Sequence, residues 1–144
     1  MRLNNGFEIP QIGVGTWTLR GETARQNVCL ALKAGFRHVD TAQGYENEAE
    51  VGQGIADSGV PRQEIFVTTK VNTGIMRMGK QAVADSIDES LAKLNTDYID
   101  LLLIHWPVKD CVRLPVLRWQ RLAGQDWLLQ VLTRPVTSHR NSLI

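Results

Sequence analysis

Short, nearly unbroken apolar runs alternate along this chain with longer stretches in which apolar positions recur every three or four residues. Residues 12–17, 38–42, 65–69 and 98–104 read as strands. The last, almost continuous in Leu and Ile, has the pattern of a strand buried on both faces of a parallel sheet. Between these runs, Ala24, Val28, Ala31 and Leu32 predict a helix over residues 22–34 that Gly35 stops, and a second helix is predicted over about residues 48–57, closed by Ser58, Gly59 and Pro61. After a loop to Gly79, Val83, Ile87, Leu91 and Leu94 form one apolar stripe of a third helix, with Lys80, Asp85, Asp88, Glu89 and Lys93 facing water. Ahead of them all, Asn5 and Gly6 between short extended pieces predict a two-residue hairpin cap.

Strand and helix units repeated in register give an α/β fold, either a TIM-type (β/α)8 barrel or a doubly wound sheet, and periodicity alone does not separate the two. The first strand favours the barrel. Its Gly13, Val14, Gly15, Thr16, Trp17 and Thr18 lack the third glycine of a dinucleotide-binding G-x-G-x-x-G turn. A chain of 144 residues is one domain's worth but short for a closed eight-stranded barrel, for which about 250 is typical.

A formal net charge of +1 gives no electrostatic reason to expect a nucleic acid or a membrane surface as partner. No apolar stretch reaches the roughly 20 residues of a membrane span, and the start has no signal-peptide core, so a cytoplasmic location is expected. Cys29 and Cys111 make no disulfide framework, and no Cys/His spacing resembles a zinc site, so no metal is expected. Cys29, among Val28, Leu30 and Leu32, reads as a packed core thiol.

Asp40, Lys70 and His105 each stand where an apolar run ends and a loop begins, and Tyr45 lies in the loop after the second run. In a parallel barrel all carboxyl ends of the strands open on one face, so these residues would converge there. Singly, such residues are often rim charges or structural hydrogen-bonders; together they have a definite chemical use. A tyrosine can deliver its proton to a carbonyl oxygen as hydride reaches the carbon. A phenol ionises near pH 10 in water, and an adjacent ammonium stabilises the phenolate. Lys70 would supply the ammonium, Asp40 would hold Lys70, and His105 would orient the carbonyl. His38, at the start of its strand, and Tyr98 read as structural.

The same residues carry a resemblance. The run from Asp40 through Tyr45, Asn47 and Glu48 to Gly52, the Val67, Thr68, Thr69 and Lys70 run, and the segment from Tyr98 to His105, Trp106 and Pro107 resemble successive motifs of the aldo-keto reductase family. The N-terminal hairpin and first strand are similar to the family's as well, so the likeness covers residues 3–110. It implies an NADPH-linked carbonyl reductase on a TIM-type barrel with a tetrad of Asp40, Tyr45, Lys70 and His105. It further implies that Gly15, Thr16, Trp17 and Asp40 border the nicotinamide, and that Trp17, Tyr45, His105 and Trp106 line the substrate pocket. Small aldehydes, α-dicarbonyls and keto sugar acids are the implied substrates. Members often carry an aromatic two residues after the lysine, where this chain has Asn72, which makes the pocket wall there smaller or more polar.

Composition shifts after residue 110. Residues 111–144 hold five Arg, no Lys and one acid, Asp126, against 11 Lys and Arg and 14 acids before them. This divergent tail reads as an alternative fourth helix through Trp119, Leu122, Ala123, Trp127 and Val131, as a weak basic arm, or, the favoured reading, as out-of-frame translation. Whatever the tail's origin, residues 1–110 are expected to be the N-terminal half of a barrel with about four β/α units, weak or inactive as an enzyme because, as the resemblance implies, the family's contacts to the adenosine phosphates come mainly from later strands. The rival reading is a non-catalytic half-barrel module that self-associates through its exposed edges.

Overall fold

A computed structural model describes residues 1–2 and 8–106. The expected Asn5 and Gly6 turn and the divergent tail lie outside the described residues. Flanking that turn, Arg2 and Glu8 form an antiparallel bridge, and the backbones of Met1 and Ile9 exchange hydrogen bonds of 2.7 and 2.9 Å.

Four strands form one sheet: β1 (Val14–Gly15), β2 (His38–Asp40), β3 (Phe66–Val71) and β4 (Leu101–Ile104). The helices between them are α1 (Gly21–Lys33), α2 (Glu48–Ser58), the single turn α3 (Thr73–Met76) and α4 (Lys80–Leu94). The strand order is β1-β2-β3-β4, every pair parallel. A doubly wound sheet reverses its strand order partway along, whereas a barrel adds each strand beside the last, so this order is the barrel's.

Three strands are shorter than expected, the second ending at Asp40 and not at residue 42, where the chain leads into the Gln43–Tyr45 turn. Of residues 12–17 only Val14 and Gly15 form the strand; Ile12 is exposed, and beyond the strand's end the Thr16 N–H still bonds the Asp40 carbonyl of β2. The fourth strand begins at Leu101 and not at residue 98, since Tyr98 and Asp100 serve as partners of Arg62. Within β4 only Leu102 is fully buried, so among the described residues the strand is covered on one face. The loop after β3 also contains α3, begun where the Asn72 side chain accepts a hydrogen bond from the Gly74 N–H at 2.9 Å.

Strand alternation separates the two faces of the sheet. Val39, Val67, Val71 and Leu102 face the helices and meet Val28, Leu32, Val51, Ile55 and Leu94 in one cluster, and Met76, Val83 and Ile87 in another. Each such side chain contributes about 1.5–3 kcal/mol on leaving water. His38, Phe66 and Thr68 occupy the other face, where His38 Nε2 lies 3.0 Å from the Thr68 hydroxyl and its ring meets Phe66 edge-on. Asp40, Lys70 and His105 follow in the same parity.

Helix α2 lies unusually close to its neighbours. A Cβ on Gly54 would come within 2.5 Å of the Arg25 carbonyl oxygen on α1, and one on Gly52 within 2.7 Å of the Leu94 backbone on α4. Cys29 is a correction to the expected core thiol. On α1 the buried line is Ala24, Val28 and Leu32, and Cys29, one residue round the helix from Val28, is only half-buried. It borders a shallow groove with Glu22, Arg25, Gln26, Leu30 and Asp57 on the outer helical layer.

At the entry ends of the strands Arg62 acts as a clamp. It donates to the Thr96 hydroxyl, to the Ile65 and Tyr98 carbonyls and to Asp100, and its guanidinium lies 4.0 Å from the Tyr98 ring centre.

Candidate active site

At the carboxyl ends of the strands the four expected residues come together. The Lys70 ammonium donates to Asp40 Oδ1 at 2.5 Å, to the Thr41 carbonyl at 2.9 Å and to the Tyr45 hydroxyl at 3.3 Å. Its side chain is 13% exposed, so the ion pair is shielded from bulk water on the lysine side while Asp40 stays 37% exposed. The Lys70 nitrogen is also 4.9 Å from the centre of the Tyr45 ring. His105 meets the Tyr45 ring edge-on with centroids 5.4 Å apart, and Trp106 stacks on His105 at 6.0 Å. Burial of the imidazole, aided by the Lys70 charge and opposed by Asp40, holds His105 below its ordinary titration range. The ring is therefore neutral at neutral pH and offers one N–H donor and one acceptor.

Tyr45 closes a single 3₁₀ turn, Gln43–Tyr45, that is stopped by Glu46 in the left-handed region at φ 54°. Asn47 follows, and its buried side chain joins the two loops. Its amide donates to the Thr16 and Leu19 carbonyls at 2.8 and 2.9 Å, and its oxygen accepts from the Thr41 hydroxyl at 3.0 Å. The Thr16 N–H donates to the Asp40 carbonyl at 3.0 Å, which fixes the end of β1 beside Asp40.

The remaining expected residues border this cluster. Gly15 has open space where a side chain would stand, and Thr16 is fully buried. Trp17 and Trp106 are 70% and 67% exposed, large apolar surfaces left uncovered at the mouth. Asn72 caps α3 and gives its N–H to Gln43 Oε1 at 2.8 Å.

Behind the tetrad lies a layer of polar residues that the sequence does not mark as functional. Glu48 is 2% exposed and accepts from the Thr69 hydroxyl at 2.6 Å and the Ser90 hydroxyl at 3.1 Å. Burial pushes its carboxyl above the usual range, against the two hydroxyls that favour the charged form. Glu48 and Thr69 stand within the motif runs named above without a role assigned to them, and on α4 Ser86 and Ser90, four residues apart, interrupt the face carrying Val83, Ile87 and Leu94; buried hydroxyls there need polar partners.

Comparison with known proteins agrees with this geometry. The sequence model of the Aldo/keto reductase family matches residues 11–123. The chain is 51% identical over 109 residues to glycerol 2-dehydrogenase (NADP(+)) of Saccharomyces cerevisiae, covering 76% of this chain and 34% of that protein. It is 52% identical over 99 residues to methylglyoxal reductase DkgB of Salmonella typhi, covering 69% of this chain and 36% of the relative. Among solved structures, MGS-M4, an aldo-keto reductase enzyme from a Medee basin deep-sea metagenome library, superposes with a TM-score of 0.72 at 46% identity, over 76% of this chain and 39% of that one. The chain thus spans about a third of the length of the curated relatives it matches. With the strand order of a barrel, a tyrosine, lysine, aspartate and histidine gathered at its carboxyl end, and a family match over most of its length, this chain belongs to the aldo-keto reductase family.

Proposed function

We propose that the chain carries the proton-transfer half of a carbonyl reductase site, in which Tyr45 protonates a substrate oxygen. The observation that carries this reading is the Lys70 ammonium held between Asp40 at 2.5 Å and the Tyr45 hydroxyl at 3.3 Å. When the phenol gives up its proton, the Lys70 ammonium faces the phenolate left behind, and the ion pair with Asp40 holds Lys70 in place. Neutral His105 donates its N–H to the same carbonyl oxygen and orients it towards the phenol. The exposed indoles of Trp17 and Trp106 offer apolar walls for a small aldehyde, α-dicarbonyl or keto sugar acid.

The mouth fits the ring end of a nicotinamide cofactor, NADPH by analogy with the NADP(+) named for the yeast relative. Gly15 leaves open space, buried Thr16 gives a rigid floor, and partly exposed Asp40 offers a carboxylate beside it. A nicotinamide held there supplies the hydride. The test is oxidation of NADPH with methylglyoxal by the purified chain, set beside Tyr45→Phe. Reduction that depends on Tyr45 supports the reading; turnover that survives Tyr45→Phe undiminished sinks it.

The sheet adds a second part to the proposal. β1 and β4 end the described sheet, and end strands carry backbone N–H and C=O groups able to pair. A second copy of the chain is the partner proposed for them.

A further inference from the structure

The 3₁₀ turn that carries Tyr45 is stitched internally by only two bonds, Tyr45 N–H to the Ala42 carbonyl and Glu46 N–H to the Gln43 carbonyl. Neither reaches β3, which otherwise meets this loop through the Thr41 N–H to Thr68 carbonyl bond and the Lys70 side chain's own bonds to the Thr41 carbonyl and the Tyr45 hydroxyl. The Gln43 side chain adds a tie from within the turn itself, in two directions at once. Its Nε2 lies 3.0 Å from the Ser86 carbonyl, 3.2 Å from the Ser86 hydroxyl and 3.1 Å from the Ser90 hydroxyl, all on α4. Its Oε1 accepts the N–H of Asn72, two residues beyond Lys70, at 2.8 Å.

The orientation of this amide is fixed by proton supply. Ser86 donates its single O–H to the Val83 carbonyl at 2.8 Å, and Ser90 donates its own to Glu48 at 3.1 Å. Towards Gln43 both serines can only accept, so the nitrogen must face them and the oxygen must face the Asn72 N–H. Glu48 in turn accepts from Thr69, the neighbour of Lys70. Hydrogen bonds thus run from Thr69 through Glu48, Ser90 and Gln43 to Asn72, leaving β3 on one side of Lys70 and returning to its end on the other.

We propose that Gln43 is a positioning residue: it holds the Tyr45 turn at a set distance from the Lys70 strand by fastening both to the serine pair on α4. This rests on the reading of Tyr45 as proton donor. Gly44, between Gln43 and Tyr45, has no side chain of its own to brace the turn, and Tyr45 is only half-buried. Without the Gln43 amide, the phenol loses its register with Lys70 and His105 even though the apolar core is intact.

The test is a spectroscopic contact that needs neither cofactor nor turnover. With ¹³C-labelled tyrosine and histidine, magnetisation transfer between the rings of Tyr45 and His105, whose centroids are 5.4 Å apart, is measured in the full chain and assigned by its disappearance in Tyr45→Phe. Gln43→Met keeps the length of the side chain and removes its hydrogen bonds. A folded Gln43→Met chain, judged by circular dichroism, is expected to lose the contact, while Ser86→Ala, which keeps the Ser86 carbonyl, only weakens it. A folded Gln43→Met chain with the contact and the Tyr45 ring shifts unchanged overturns the proposal. If Gln43→Met does not fold, Ser86→Ala combined with Ser90→Ala decides in the same way. Loss of the contact in Gln43→Met beside turnover that survives Tyr45→Phe leaves the positioning role standing and removes the catalytic reading; Tyr45-dependent turnover with an unaltered contact in Gln43→Met does the reverse.

Discussion

Tyr45 and Glu48 are three residues apart and have opposite relations to water. Tyr45 is partly open to the mouth, and its proposed work is to give a proton away. Removing only its hydroxyl, as Tyr45→Phe, is expected to lower kcat by about 10²–10⁴-fold, the usual contribution of a positioned general acid, with KM little changed; steady-state kinetics check it. Glu48 is sealed in, and its raised titration range is a statement about stability. An unfolded glutamate titrates near 4.5, so between that pH and the raised folded value the native chain holds the proton more tightly than the unfolded one. Its contribution is full below pH 4.5 and is lost as pH rises through the folded value. Urea melts of wild type and Glu48→Gln at pH 7 and pH 5 are expected to show wild type gaining on the variant at the lower pH; a gap that does not change with pH refutes the burial argument. Asp40, Lys70 and His105 are legible in the sequence because each is a polar side chain at the end of an apolar run, where a parallel fold brings strand ends together. Gln43 and Glu48 are not, because a glutamine in a loop and a glutamate in a first helical turn are usually solvated, and only tertiary packing buries these two.

Elements are legible where apolar residues recur at helical spacing and blurred where polar ties replace packing. Helix α4 follows its stripe, with Val83, Ile87 and Leu94 buried, and Gly59 at φ 70° ends α2 where a glycine stop is expected. The fourth strand falls short of its apolar run, since Asp100 and the Tyr98 carbonyl are taken up by Arg62. The glycines inside α2 are silent in the sequence, because the reason for each is the backbone pressed against it. Alanine is favoured over glycine in a helix by about 1 kcal/mol, but overpacking against a backbone oxygen costs about 1–3 kcal/mol. Gly54→Ala, its Cβ 2.5 Å from the Arg25 carbonyl oxygen, is therefore expected to be a net loss, whereas Gln53→Ala on the exposed side is neutral or better. Chemical denaturation of the two variants checks the sign.

For the whole molecule, the consecutive parallel order resolves a choice that periodicity leaves open, since both α/β architectures share the same alternation of periods. The end strands of the described sheet make the proposed self-association measurable. Sedimentation of the purified chain is expected to give a discrete species at twice the chain mass, and a single monomeric boundary at all concentrations counts against edge pairing. The proposal of a small carbonyl substrate leans on the exposed indoles of Trp17 and Trp106.

The buried side chain of Asn47 ties together backbone groups 28 and 31 residues away in the sequence, Leu19 and Thr16, and the hydroxyl of Thr41. Its three bonds have no substitutes from solvent, so the first loop cannot lift from the second without stranding an amide in the interior. Opening at the mouth is thereby made cooperative. The loop after β1 and the loop after β2 are thus expected to share one unit of local unfolding, and hydrogen exchange is expected to show amides around Thr16 and Thr41 opening together and not loop by loop.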